Sequence, residues 1–325
     1  MSAETRFSIP DLYCPFTGTC DQPQPAAEGV GRDIAALVHD LDDNPALAEM
    51  LAELRLGEFT ARLSPRLTTE GNWLMQLYWA IYFTSDHWCD RRPDGTFRET
   101  AEAVDFCRRT VRVLCGEPVA ADDPVPTRLA AFLRERLDEY CPGWTDSRLP
   151  HYFGRNMTAR LWEIDVHRSG RTPSLAEYRR IKVVKSGPEP LFELDILAHR
   201  LCIPSWIRAH PAVETLQEIA ADYIARYTDI VTVSKDLHEG TMSNIVTVIR
   251  AERGCTLQNA VDTAAEIIRA DADAFVDLRA RLPHLGAGCH PDLESFLDRL
   301  QEWMANCEPW ARNLPRYSKH YDEAG

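Results

Sequence analysis

Residues 72–95, "NWLMQLYWAIYFTSDHWCDRRPDG", set an aromatic and aliphatic run directly against a cluster of acids. Tyr78, Trp79, Tyr82 and Phe83 precede Asp86 by eight, seven, four and three residues, so a helix would stack them along one side that ends in a carboxylate. Asp86 and Asp90 lie four apart and would project from one face about a turn apart. Each half of the pattern has an ordinary explanation. Acids at this spacing are usually a solvated helix face, and clustered aromatics are usually core. Together they also describe an apolar wall with a metal rim, because hard cations such as Mg2+ take oxygen ligands and use one or two carboxylates plus substrate phosphates.

The periodicity of this stretch extends outward. Apolar residues recur at three and four positions in "DIAALVHDLDDNPALAEMLAEL", "RETAEAVDFCRRTVRVLC", "PTRLAAFLRERLDEY" and "PSLAEYRRIKVVKSG". The pattern continues in "AVETLQEIAADYIARYTDIVTVSKDLHEG", "TLQNAVDTAAEIIRADADAFVDLRARL" and "DLESFLDRLQEWMANCEPWARNL". Strand-like alternation bounded by hairpin turns is scarce. Breaks fall at "RRPDG", "CPG", "RSGRTPS", "SGPEP" and "RGCT", and "PSLAEY" reads as a proline and serine entry to a helix. With no linker, repeat or low-complexity tract, residues 1–325 read as a single all-α domain of ten or more helices built around a cavity. Residues 1–30 form an irregular, Pro-bearing N-terminal segment in this reading.

Composition narrows the function. A chain of 325 residues with 45% hydrophobic content can bury a large core, and its net charge of -14 argues against binding nucleic acid or an anionic membrane. An anionic ligand would require metal cations or a local basic cluster to offset that charge. The ten cysteines include no CxxC pair and no Cys/His zinc spacing, so reduced thiols and a cytoplasmic location are expected. "MSAETRFSIPDLYCPF" lacks the basic start and apolar run of a secretory signal, and no stretch has the length of a membrane span.

Three further clusters carry chemistry. In "RYTDIVTVSKDLHEGTMSNIV", residues 226–246, Thr228, Thr232 and Asp236 recur every four residues and place two hydroxyls and a carboxylate on one helical stripe, with Lys235 beside the last. Read alone, that stripe is ordinary decoration of a polar face. Asp229 points about 100 degrees away from Thr228 on a regular helix and is not expected to join the stripe. "YRRIKVVKSGPEP", residues 178–190, runs a basic helix into a Ser-Gly-Pro break. "WARNLPRYSKHYDEAG" ends the chain with an Arg, Tyr and Lys cluster.

The order and spacing of these four motifs resemble a bacterial class I terpene synthase, over about residues 7–321. The family's DDxxD motif falls on "DHWCD", with Asp86 first, His87 replacing the second acid and Asp90 last. Its NDxxSxxxE motif falls on "TDIVTVSKD", so Thr228, Thr232 and Asp236 stand at the Asn, Ser and Glu positions. Lys235 matches the basic residue that touches diphosphate. Lys182 stands where the family has a diphosphate-sensing arginine, and Ser186 and Gly187 fall at the helix break whose backbone carbonyl helps trigger ionisation. Arg316 and Tyr317 match the Arg-Tyr pair of a C-terminal lid, residues 312–325. Trp79, Phe83 and Trp310 are the candidate cavity wall.

The resemblance implies an all-α bundle around a deep apolar cavity. It also implies an enzyme, a lyase that ionises an acyclic prenyl diphosphate, farnesyl first and geranyl next, and releases diphosphate with a cyclised or rearranged terpene hydrocarbon or alcohol. Three Mg2+ ions are implied, two held by Asp86, with Asp90 a further ligand of the metal site, and one held by Thr228, Thr232 and Asp236. Lys182, Lys235, Arg316 and Tyr317 would clamp diphosphate; Asp86, Lys182, Arg316 and Tyr317 are the expected catalytic set. A homodimer is left open. Thr228 lacks an amide oxygen, Asp236 is a methylene shorter than Glu, and Lys182 offers a point charge in place of a bidentate fork. These departures keep two alternatives in view: an atypical substrate, methylated or longer, and a non-catalytic isoprenoid-binding protein.

Overall fold

The computed structural model of the chain describes residues 7–18, 24–89, 96, 98–285 and 290–313. The described residues contain helices and no strand. In chain order the helices are α1 (Pro25–Leu41), α2 (Pro45–Leu54), α3 (Leu56–Leu63), α4 (Thr69–Cys89), α5 (Thr100–Leu114), α6 (Val125–Tyr140), α7 (Leu149–Ser169) and α8 (Leu175–Glu177). They continue with α9 (Val183–Ser186), α10 (Pro188–Ala198), α11 (Ser205–Arg208), α12 (Pro211–Glu239), α13 (Ile245–Arg253), α14 (Leu257–Arg281), α15 (Pro291–Ala305) and α16 (Cys307–Asn313).

Local chemistry sets these boundaries. The irregular N-terminal segment is shorter than expected, because Pro25 occupies the first turn of α1, where its missing N–H costs nothing. Ala27, Val30, Ile34 and Val38 then bury one face of that helix. The sequence read as one helical run from Asp33 to Leu54 is two helices. Asn44 accepts a hydrogen bond from the Ala46 N–H at 3.0 Å and Pro45 follows it, which starts α2 afresh. Ser174 and Glu177 close a reciprocal capping box at the entry to α8, as "PSLAEY" indicates.

The chain packs as two compact units, each discontinuous in sequence. One comprises residues 20–168 and 184–200. In it α4 lies against α1, α3, α6 and α10. Residues 74–81 of α4 are all buried, so this helix has no single apolar stripe. The other unit comprises residues 1–19, 169–183 and 201–325, and is organised on α12, with α13, α14, α15 and α16 packed against it. The 29 residues of α12 make a rod about 43 Å long. It stops at Gly240, whose φ of 72° is the left-handed conformation glycine adopts without penalty. The chain then turns back, and Asn244 caps α13.

Candidate active site

In the first unit the C-terminal turns of α4 deliver Asp86. Its carboxylate accepts a hydrogen bond from the guanidinium of Arg160, which is 1% exposed, and stands 3.4 Å from Lys185 Nζ. Lys185 also pairs with Glu163 at 2.6 Å. Asn156, Arg160 and Glu163 come from α7 at four- and three-residue spacing, which places them on one helical face. The ring of Tyr82 lies 4.7 Å from the Arg160 guanidinium carbon and 5.9 Å from Lys185 Nζ, so both cations lie near its ring. Burial works against the Lys185 ammonium, but the charges of Asp86 and Glu163 raise its pKa well above the lysine range. Lys185 is therefore charged at neutral pH.

Ser186 and Gly187 do lie at a helix break. The Asn156 side-chain amide donates to the carbonyls of Val184 and Lys185 at 2.9 and 2.8 Å, satisfying the last acceptors of α9. Gly187 has φ of 80°, and a Cβ there would lie 3.0 Å from the Tyr78 hydroxyl and 3.2 Å from Asn156 Nδ2. Both backbone conformation and space thus require glycine. Further back along α4, Trp79 and Phe83 are buried. Their rings stack at 5.7 Å, and Phe59 meets Trp79 edge-on at 4.6 Å.

The second unit holds the α12 stripe. Thr232 Oγ1 donates to Asp236 Oδ2 at 3.0 Å, which places that hydroxyl and carboxylate side by side. Asn244 Nδ2 donates to the same Asp236 oxygen at 2.8 Å and to the Asp229 carbonyl at 2.6 Å. Thr228 Oγ1 donates to the Ile224 carbonyl at 2.9 Å, leaving its lone pairs outward. Lys235 pairs with Glu239 at 2.7 Å and lies 3.8 Å from Asp236. Trp310 is buried on α16.

Asp229 stands seven residues before Asp236, two turns away on nearly the same side of α12, but its carboxylate is engaged by other groups. The Tyr178 hydroxyl and the Ile245 N–H each donate to its carboxylate at 2.8 Å, and Lys182 Nζ lies 3.7 Å away. Burial first, then the Asp236 charge, lift the Asp229 carboxyl to about 6, with Lys182 opposing. Tyr178–Lys182 is a turn of π-helix, and both ends of "YRRIK" reach this one carboxylate. The residue at the sensing position is thus held by a neighbouring acid. Asp90, Arg316 and Tyr317 lie outside the described residues.

The donor chemistry fits a hard divalent cation. Among the described residues no group of three His, Cys, Asp or Glu side chains could hold a metal. The candidate ligands are instead Asp86 in one unit, and Asp236 with the hydroxyls of Thr228 and Thr232 in the other. All are oxygen donors, the set Mg2+ takes, with no imidazole or thiolate among them. Sequence reasoning missed Asn156, Arg160, Glu163 and Asn244, and used Lys185 only as part of a basic run. The missed signals were present: "NMTARLWE" repeats polar residues at helical spacing, and "SNIV" is an N-cap followed by an apolar turn.

Comparison with known proteins identifies the family. Residues 78–273 match the family model described as terpene synthase family 2, C-terminal metal binding. The chain is 27% identical over 307 residues to the (+)-T-muurolol synthase ((2E,6E)-farnesyl diphosphate cyclizing) of Roseiflexus castenholzii, covering 94% of this chain and 93% of that one. It is 24% identical over 309 residues to the (+)-eremophilene synthase of Sorangium cellulosum, covering 94% and 91%. Among solved structures, the SVS_A2 protein from ancestral sequence reconstruction superposes with a TM-score of 0.81 at 20% identity, covering 98% of this chain and 99% of that one. The germacradien-4-ol synthase of Streptomyces citricolor superposes at 0.77 and 20% identity, covering 92% and 97%. The family match spans more than half the chain and includes both Asp86 and the α12 stripe: this protein belongs to the family 2 terpene synthases and is an enzyme of that class, all-α in fold.

Proposed function

We propose that this terpene synthase converts farnesyl diphosphate, with Mg2+, into a cyclic sesquiterpene hydrocarbon or alcohol. The observation that carries the reading is the α12 stripe. Thr232 and Asp236 are hydrogen-bonded neighbours on a helix within a metal-binding family match, with Thr228 one turn before them. Farnesyl diphosphate follows from the named activity of the Roseiflexus relative, which the chain matches along 94% of its own length. Three ions are proposed, with Asp86 and Asp90 holding two and Thr228, Thr232 and Asp236 the third. We further propose that residues 1–325 work as a single synthase domain in the cytoplasm, and that a homodimer is the assembly to test.

Bound cations would neutralise the diphosphate and make it a leaving group. The chain's residues do the rest. Lys182 and Lys235 would bind the diphosphate oxygens once released from Asp229 and Glu239, and Arg316 and Tyr317 would close over it. The carbon–oxygen bond breaks with its electron pair leaving on diphosphate. A backbone carbonyl at the Ser186–Gly187 break would help trigger that ionisation. Trp79, Phe83 and Trp310 offer ring faces that stabilise positive charge without a nucleophile, and exclude water until a proton is lost or one water is admitted.

The test is incubation with geranyl, farnesyl and geranylgeranyl diphosphates and identification of volatile products. A cyclic C15 product from farnesyl diphosphate supports the reading. Products from another chain length alone would replace the substrate, and none from all three would direct the search to methylated or longer prenyl diphosphates.

A further inference from the structure

The side chains around Asp86 are unusual company for a carboxylate awaiting metal. Asp86 faces two cations, Arg160 and Lys185, and Lys185 in turn faces a second acid, Glu163 at 2.6 Å. The four charges sum to zero. Lys185 Nζ stands 3.4 Å from each Asp86 oxygen, so it bridges the carboxylate from the side, as a metal ion would. It reaches there because Asn156 clamps the carbonyls of Val184 and Lys185, fixing the backbone that carries the lysine. Nothing in the reaction as proposed uses Glu163 or Lys185.

We infer that Lys185 is a built-in counter-ion that holds the Asp86 metal site closed until the diphosphate arrives, with Glu163 setting how firmly it does so. The inference rests on the proposed role of Asp86 as a metal ligand. A divalent cation approaching Asp86 meets a neutral cluster in which the Arg160 and Lys185 charges together offset the attraction that one carboxylate supplies. A trianionic substrate head reverses this balance, because it brings charge for the metal and an anion for the displaced lysine. Glu163 is the alternative partner within reach: the lysine can release Asp86 and remain paired. Metal uptake is thereby coupled to substrate, and Lys185 acts as a positioning residue through Asp86.

The test is Mn2+ binding to the purified full chain, followed by electron paramagnetic resonance with and without inorganic diphosphate. Without diphosphate, Lys185→Gln leaves the cluster with an excess negative charge and should bind Mn2+ roughly tenfold tighter than wild type or better. Lys185→Arg keeps the charge and should stay close to wild type. Glu163→Gln leaves an excess positive charge and should bind several-fold more weakly; a merely structural role predicts no such opposite signs. The Lys185→Gln gain should vanish when combined with Asp86→Asn. If wild type binds no Mn2+ even with diphosphate, the metal reading of Asp86 itself fails. If wild type binds with diphosphate but Lys185→Gln matches wild type without it, the counter-ion role is overturned. Should Lys185→Gln not fold, Glu163→Gln decides alone, since unchanged Mn2+ affinity there contradicts the inference.

Discussion

Asn244 is the residue on which the α12 stripe most depends, and replacing it with alanine separates three contributions. Its side chain is fully buried and every polar atom of it is used: Oδ1 accepts from the Val246 N–H at 2.9 Å, and Nδ2 donates to the Asp229 carbonyl and to Asp236 Oδ2. Losing a helix N-cap costs about 1 kcal/mol. The neutral hydrogen bond adds about 1 kcal/mol, and the one to a charged carboxylate about 2 kcal/mol. Asn244→Ala should therefore destabilise the protein by roughly 4 kcal/mol, read as a lower midpoint in urea with an unchanged slope. Asn244→Ser restores the cap and should recover about 1 kcal/mol of that loss. Metal-dependent diphosphate release should fall in both variants, because Asp236 loses the donor that aims it. A loss under about 1 kcal/mol for the alanine variant, or full recovery by serine, would mean that Asn244 does not hold the stripe together.

Asp86→Ala leaves the buried Arg160 guanidinium short of its partner and should destabilise the fold by about 3 kcal/mol or more, whereas Asp86→Asn keeps an acceptor but not the charge and should abolish turnover with a smaller loss of stability; calorimetry beside product assays distinguishes them. Gly187→Ala imposes a left-handed conformation on alanine and drives its Cβ toward Tyr78 and Asn156, so a loss of about 2 kcal/mol or more in chemical denaturation is expected. Phe83→Ala should cost about 3 kcal/mol or more through a core cavity, and Phe83→Leu should keep the fold and alter the product mixture by gas chromatography. Burial raises the Asp229 carboxyl to about 6, so the folded chain holds this proton more tightly than the unfolded one. Its contribution to stability is fully present below about pH 4 and is lost as pH rises through about 6. Asp229→Asn removes that loss, and urea titrations in EDTA should show the variant gaining on wild type, on the order of 1 to 2 kcal/mol, between pH 4.5 and 7.

The all-α fold was legible because most helices here obey the three-and-four periodicity over long stretches, and α12 and α14 run almost as the pattern marks them. α7 and α10 were harder to see. α7 carries charges and aromatics around much of its circumference, since it serves both a core and a cluster of ion pairs, and α10 begins at a proline that reads as a stop. As candidates, Asp86, Thr232 and Asp236 could be named because the order and spacing of their motifs resemble the family's. Arg160 and Asn244 were not, because what makes them matter is a contact with a residue 74 positions away in one case and a returning turn in the other. The π turn at Tyr178–Lys182 leaves no trace in a pattern of 3.6-residue period, and neither does the approach of Lys182 to Asp229.

If Asp86 and Asp236 carry a metal-dependent ionisation of a prenyl diphosphate, diphosphate release from farnesyl diphosphate should depend on both as Mg2+ is titrated into wild type, Asp86→Asn and Asp236→Asn. Release should rise steeply with Mg2+ in wild type, disappear in EDTA and be lost in both variants. Release that persists in EDTA, or that survives in both variants at wild-type rate, would mean that these carboxylates do not act through a metal.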